Sequence, residues 1–318
     1  MLGVTWTVSP PIKNLLDEIS ALNLIFQKYH PHPESLAALR RQSIFKSAVY
    51  SARIENIAAR IEDPIVQKKV EIRNLISAYN FIFSSSSPRH LSINLIRHFH
   101  RFVLRDLSPD AGHWRSEPWA IFNQAGVAVY LAPVHFELPR LMPEYVSFTR
   151  SLREFPPLTA AIAQFALEKI HPFADGNGRV GRLVSTHILE KSGFGRLSEV
   201  EEYIDTHRSA YYSVLEPNQN CTDFIEFILT AQVRSAQIRL EKLKETSADK
   251  SEISQLPRRR EILAIIRDHP QCSFDFLSRR FAGIKPNTLH YDLQQLQKTG
   301  LVIKHGISRG AVYSSASF

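Results

Sequence analysis

At 318 residues, 44% of them hydrophobic and 22% charged, the chain has the make-up of a globular protein of about two domains, with no repeats or extended low-complexity segment. No stretch reaches the ~18 uninterrupted apolar residues of a spanning helix, and Met1-Leu2-Gly3-Val4 lacks a basic region followed by an apolar run. A membrane span and a secretory leader are therefore not expected, and the isolated thiols Cys221 and Cys272 fit a reducing cytoplasm.

Ile12, Leu15, Leu16, Ile19, Leu22, Ile25, Phe26 and Tyr29 recur at three- and four-residue steps, which predicts a first helix. Leu39, Phe45, Ala48, Val49, Ile57 and Ile61 predict a second, running on until Pro64 interrupts. Residues 65–83 read as a third helix, closed by the serine run that ends at Pro88. Ile93, Leu95, Ile96, Phe99 and Phe102 mark a fourth. Trp119-Ala-Ile-Phe122 and Val127-Ala-Val-Tyr-Leu131, separated by Asn123-Gln-Ala-Gly126, predict a hairpin, the one β element expected in the first 250 residues. Helices follow at 138–153, 158–170, 178–191 and 221–246, and residues 247–257 read as a polar linker.

The segment His171-Pro-Phe-Ala-Asp-Gly-Asn-Gly-Arg-Val-Gly-Arg182 joins two of these helices. Its glycines let backbone N–H groups approach an anion beside a helix N-terminus. Arg179 and Arg182, three apart, share a face of the second helix and suit a polyphosphate. Asp175 is a hard oxygen ligand fit for Mg²⁺ between phosphates. His171 can be neutral near pH 7 and accept a proton from an incoming hydroxyl. Asn177 can donate its amide to a phosphate oxygen, and Phe173 is expected in the core.

The pattern His-x-Phe-x-Asp-Gly-Asn-Gly-Arg-x-x-Arg resembles the signature of the Fic family. The resemblance reaches Gly112-His-Trp-Arg115 and the hairpin, and covers about residues 90–215. It implies a mainly α-helical Fic core in which AMP passes from ATP to a Ser, Thr or Tyr hydroxyl of a target protein, releasing pyrophosphate. His171 would then be the base and Asp175 the Mg²⁺ ligand. Gly176, Asn177 and Gly178 would bind the α-phosphate, and Arg179 and Arg182 the distal ones. The hairpin would be a flap that aligns the target by strand addition. Both loop glycines being present favours AMP transfer, while phosphocholine transfer, AMP removal and other nucleotide donors stay open.

Ser51-Ala-Arg-Ile-Glu-Asn56 resembles the family's inhibitory motif. It implies that Glu55 pairs with Arg182, flanked by Ser51 and Asn56, and denies that guanidinium to the γ-phosphate. Residues 257–318 hold ten Lys/Arg against four Asp/Glu, or +6 of the formal net charge of +8. Their apolar spacing predicts three helices, around Ile262–Ile266, Phe274–Phe281 and Leu289–Leu296, and a two-stranded wing, Leu301–Ile303 and Ala311–Tyr313. This reads as a winged helix-turn-helix, with Asn287, Thr288, His290 and Tyr291 near the start of the third helix as candidate base readers and Lys304 and Arg309 as candidate phosphate contacts. A protein-docking or dimer module is the competing reading of the same pattern.

The expected organisation is an N-terminal helical region (1–88), a Fic core (89–220), a long helix and linker (221–256) and a winged helix (257–318). Partners are ATP, a target protein with an acceptor hydroxyl and, through the C-terminal module, DNA; a homodimer is left open. A DNA-binding regulator whose Fic core mainly senses nucleotide is the alternative.

Overall fold

The computed structural model describes residues 3–28, 33–63, 65–122, 128–215, 219–248, 256–269, 271–306 and 310–316. The chain is mainly helical. In order run α1 (Pro10–Lys28), α2 (Pro33–Ile54), α3 (Val70–Ile82), α4 (Ile93–Leu104), β1 (Ala120–Phe122), β2 (Ala128–Leu131), α5 (Leu138–Ser151), α6 (Pro156–Ile170) and α7 (Asn177–Lys191). They are followed by α8 (Glu201–Thr206), α9 (Arg208–Val214), α10 (Thr222–Ala248), α11 (Pro257–Asp268), β3 (Cys272–Ser273), α12 (Phe274–Arg280), α13 (Pro286–Lys298), β4 (Val302–His305) and β5 (Val312–Ser315).

Local chemistry sets many of these boundaries. The Ser92 hydroxyl caps α4 by accepting the Leu95 N–H at 3.2 Å, and Ser273 caps α12 in the same way. Proline opens α6, α11 and α13, where its missing N–H costs nothing. The second helix ends at Ile54, well short of the predicted Ile61. Its end is a Schellman turn: Asn56 is left-handed (φ 60°), its N–H meets Arg53 O, and Ile57 N–H meets Ala52 O. The third helix starts at Val70 rather than 65, after a short 3₁₀ turn at Val66–Lys68 and the extended Lys69. The short helices α8 and α9 and the two-residue β3 were not expected, each being too brief to show a period.

Helix α6 is the centre of the molecule. One face, with Ala163, Ala166, Leu167 and Ile170, packs with α2, α3, α4, α5 and α7. The other, with Leu158, Ala161, Ile162 and Phe165, packs with α1, α9 and α10. Each of its fully buried large side chains is worth about 1.5–3 kcal/mol of transfer free energy, so the helix C-terminus is held from both sides. That end delivers His171.

β1 and β2 pair antiparallel, with Ala120 opposite Leu131 and Ile121 opposite Tyr130. The predicted turn residues 123–126, and Val127 of the predicted second strand, lie outside the described residues. Residues after Pro257 have their own hydrophobic core, built from α11, α12, α13 and an antiparallel sheet of order β3-β5-β4. This unit rests on α2. The Arg41 guanidinium forks onto the Glu261 carboxylate, Arg41 lies over the Phe281 ring, and Arg280 lies 3.9 Å over Phe45.

Candidate active site

The loop between α6 and α7 is stapled to itself. His171 ends α6 in a left-handed conformation (φ 50°, ψ 59°), and its N–H still reaches Leu167 O. Phe173 is fully buried, stacked on His100 at 3.7 Å and tilted against Trp114 at 4.8 Å. The Asn177 side chain accepts the Phe173 N–H at 2.9 Å and donates to Phe173 O at 2.8 Å. Its amide is therefore committed within the loop, and what Asn177 can offer an anion is its backbone N–H. Gly176 is left-handed (φ 81°) and opens α7, whose first-turn N–H groups have no intrahelical acceptors. Asp175 Oδ1 accepts the Gly176 N–H at 2.6 Å, and both carboxylate oxygens lie 2.8 Å from Arg179 Nη2.

His100 was not singled out in the sequence, where it is one histidine among the aromatics of α4. Its Nδ1 accepts the Gly112 N–H at 2.8 Å, so Nε2 carries the hydrogen and donates to Asp175 O at 3.0 Å. Burial pushes its pKa down to about 4, which keeps this donor–acceptor assignment at neutral pH.

Arg115 ties the loop to the hairpin. Its Nε donates to His171 O at 2.7 Å, Nη1 to Glu117 O at 2.9 Å, and Nη2 to Pro133 O. The backbone N–H of Arg115 also reaches Pro172 O at 3.0 Å. Across the hairpin, the Tyr130 hydroxyl donates to Lys169 O at the end of α6. Trp119, just before β1, lies flat on the His171 ring with centroids 3.4 Å apart. The sequence marked Trp119 only as β-prone. His171 Nδ1 faces Glu168 O at 3.3 Å, which leaves Nε2 as the acceptor. Burial pushes the His171 pKa down to about 4, so the imidazole is neutral near pH 7.

Helix α2 brings Ser51 and Glu55 to the same place. Arg182 is fully buried; its Nε donates to Ser51 Oγ at 3.0 Å, and Nη2 donates to Ser51 O at 3.0 Å and to Glu55 Oε1 at 2.8 Å. Burial alone would lower the Arg182 pKa, but the Glu55 carboxylate raises it and keeps the guanidinium charged. Glu55 also lies against the start of α7: a Cβ on Gly178 would stand 2.5 Å from Glu55 Oε1. Only glycine allows that approach. A carboxylate there complements the positive end of the α7 dipole. Asn56 is not at the pair; its Oδ1 accepts from Arg208 Nη1 at 3.3 Å.

Among the described residues no cluster of three His, Cys, Asp or Glu could hold a metal. Asp175 stands alone as an oxygen donor, its side chain 67% exposed. That fits an ion whose other ligands come with a polyphosphate. On α13, Asn287, His290 and Tyr291 are exposed and Thr288 is half-buried. The His290 ring stacks on Phe274 at 3.7 Å, Arg259 lies over Tyr291, and Lys304 is exposed on β4. Arg309 lies outside the described residues. No helix among the described residues is long and apolar enough to cross a membrane.

Residues 90–189 match the Fic/DOC family. The chain is 28% identical over 195 residues to a protein adenylyltransferase Fic of Aedes aegypti and 26% identical over 230 residues to that of Drosophila erecta. These alignments cover 59% and 65% of this chain but 37% and 44% of the relatives' own lengths. A Fic family protein from Desulfovibrio desulfuricans G20 superimposes over 98% of both chains with a TM-score of 0.64 at 24% identity. A solved segment of Fic-1 from C. elegans (aa134–508) superimposes over 74% of this chain and 73% of that segment, with a TM-score of 0.61 at 21% identity. Residues 90–189 are thus a Fic domain, and the chain around them has the fold of solved Fic proteins.

Proposed function

We propose that this chain is a protein adenylyltransferase that moves AMP from Mg·ATP to a Ser, Thr or Tyr hydroxyl of a target protein, with Glu55 as a built-in brake. The observation that carries the reading is the α6–α7 loop. There a neutral imidazole with Nε2 free as acceptor stands beside a helix N-terminus and two arginines. The names of the Aedes and Drosophila relatives agree with it.

In this reading the acceptor hydroxyl oxygen attacks the α-phosphorus, the bond to the bridging oxygen breaks, and pyrophosphate leaves. His171 Nε2 takes the hydroxyl proton. The open N–H groups of Asn177 and Gly178 face the α-phosphate oxygens, as donors aimed at developing charge should. Arg179 and Arg182 bind the distal phosphates. Asp175 is the residue that would hold Mg²⁺, giving up Arg179 to do so; the ion would supply positive charge to offset that building on the departing pyrophosphate. The free edge of the hairpin takes an extended target segment as an added strand, and Arg115 keeps that hairpin in register with His171.

Glu55 restrains this chemistry because it uses the Arg182 Nη2 that a γ-phosphate needs and sets a negative charge on Gly178. Ser51 buttresses the pair through its hydroxyl and carbonyl. We read residues 257–318 as a winged helix in which Asn287, Thr288, His290 and Tyr291 face DNA bases and Lys304 its phosphates. Their outward placement and the local excess of positive charge support this. The organisation into segments 1–88, 89–220, 221–256 and 257–318 belongs to the same proposal.

Intact-mass analysis after incubation with Mg·ATP tests the reading on wild type, Glu55→Gly and Glu55→Gly/His171→Ala. An AMP adduct, on the chain or on an added acceptor protein, is expected to be strong in the single variant, weak in wild type and absent in the double variant. Equal adduct in wild type and Glu55→Gly would remove the brake. Transfer from UTP, GTP or CDP-choline in preference to ATP would replace the donor.

A further inference from the structure

Glu168, on the last turn of α6, is a carboxylate that the proposed chemistry does not use. The residue as a whole is half-buried, but its Oε1 is closed off from solvent and has no hydrogen-bond partner among the described residues. It lies against α7, one residue from Arg182: a Cβ on Gly181 would stand 3.0 Å from Glu168 Oε1. Two more polar atoms nearby lack described partners, Arg182 Nη1 and Gln164 Oε1. Gln164 donates from Nε2 to the Tyr211 hydroxyl at 3.1 Å, so α6, α7 and α9 share one enclosed polar cluster behind the loop.

Resting on the reading of Arg182 as a phosphate-binding arginine, we propose that Glu168 is a positioning residue for Arg182. It carries a proton while Glu55 or a terminal phosphate occupies that guanidinium, and ionises to become its counterion when neither does. Three carboxylates act on the one guanidinium: Glu55, Glu168 and the buried Glu201, whose oxygens accept from Tyr79 and Ser47 and which burial pushes toward the protonated form. With Glu55 bound, an ionised Glu168 would leave a net negative charge in a poorly solvated space, where like charges are costly. With Glu55 gone and no phosphate in place, Arg182 would be a buried cation with no carboxylate hydrogen-bonded to it, which is costlier still. A single proton on Glu168 resolves both cases.

The charges around Glu168 fit. Burial, then the charge of Glu55, pushes its pKa up to about 7, against the pull of Arg182 and of its neighbour Lys169. Its other titratable neighbours are Tyr211 and Tyr212 on α9, Tyr145 on α5 and Tyr130 on β2, all of which burial keeps protonated. The ring of His171, which faces the Glu168 carbonyl, is neutral near pH 7, so among the described residues only Glu55, Arg182 and Lys169 bring charge to it there. By linkage, protonating Glu168 favours the closed Glu55–Arg182 pair, and raising the pH through its pKa loosens that pair.

The test is a ¹³C-NMR pH titration of full-length protein labelled at glutamate carboxyl carbons. Glu168→Gln identifies the Glu168 signal by its loss, and Glu168→Asp serves as a second variant if the amide does not fold. The signal is expected to titrate near pH 7 in wild type and about one unit lower in Glu55→Gly, then to return upward when Mg·ATP is added to Glu55→Gly. A residue with only a packing role would show the same midpoint in all three states, and that result would overturn the proposal. A shift on removing Glu55 with no response to Mg·ATP would support the coupling while removing the nucleotide reading of the site.

Discussion

The loop at 171–182 and the outer face of α13 are both candidate binding surfaces, and they are built in opposite ways. In the loop, Asn177 is spent on Phe173, Asp175 on Arg179, and Arg182 on Ser51 and Glu55, while Arg115 holds the carbonyl of His171 from outside. On α13, Asn287, His290 and Tyr291 turn to solvent, and the buried Asp292 on the same helix is held by Arg258 and Arg259. In the loop each group fixes its neighbours, so one change should spread. On α13 the groups are largely independent, so changes should add.

The sharpest way to break the contrast is Arg115→Met. The substitution keeps much of the side-chain volume but leaves the carbonyls of His171, Glu117 and Pro133 without this donor. Unpaired buried acceptors cost about 1–3 kcal/mol each before relaxation, so a loss of about 2–4 kcal/mol is expected in urea unfolding. Transfer by the Glu55→Gly protein should fall by about 100-fold, because the hairpin and His171 lose their common tether. A stable Arg115→Met protein with unchanged transfer would mean that the loop residues do not act as one interdependent unit.

A smaller effect is expected from pH. With its pKa pushed down to about 4 by burial, His171 stays neutral until the solution is acidic. As the proposed base, His171 is competent above its pKa and is lost as pH falls through it. In the Glu55→Gly/Glu168→Gln protein, where the second carboxylate no longer titrates, single-turnover transfer should change less than about threefold between pH 5.5 and 8. An inflection near 6.5, the value of an ordinary histidine, would show that Trp119 and the loop do not shield His171 in solution.

The same contrast governs how much the sequence disclosed. The loop was legible because its residues are contiguous, and Glu55 because its motif is short and sits on one helix. His100, Arg182's neighbour Glu168 and the stacking of Trp119 on His171 were not, since each depends on which helices meet. His100 and Glu168 look like any polar residue on a mostly apolar helix until α4, α6 and α7 are brought together. The end of α2 was misplaced for a different reason. Apolar residues continue past it at Ile57 and Ile61, and only the left-handed Asn56 breaks the helix. That break matters, because it leaves Glu55 on the terminal turn, where its carboxylate can reach Arg182.

The smallest effects should come from the C-terminal face. Lys304→Ala and Tyr291→Ala remove exposed side chains, and stability should move by no more than about 0.5 kcal/mol. If this face meets DNA, Lys304→Ala weakens binding to all sequences alike and lowers the salt slope by about one, the signature of one lost phosphate contact. Tyr291→Ala, on the candidate reading helix, should instead reduce discrimination between sequences. Neither change should alter AMP transfer by Glu55→Gly, since both residues lie away from the loop. A large change in transfer would tie the face to the core through α2. Arg41 and Phe45 on that helix carry the C-terminal unit, and Ser51 and Glu55 farther along it hold Arg182.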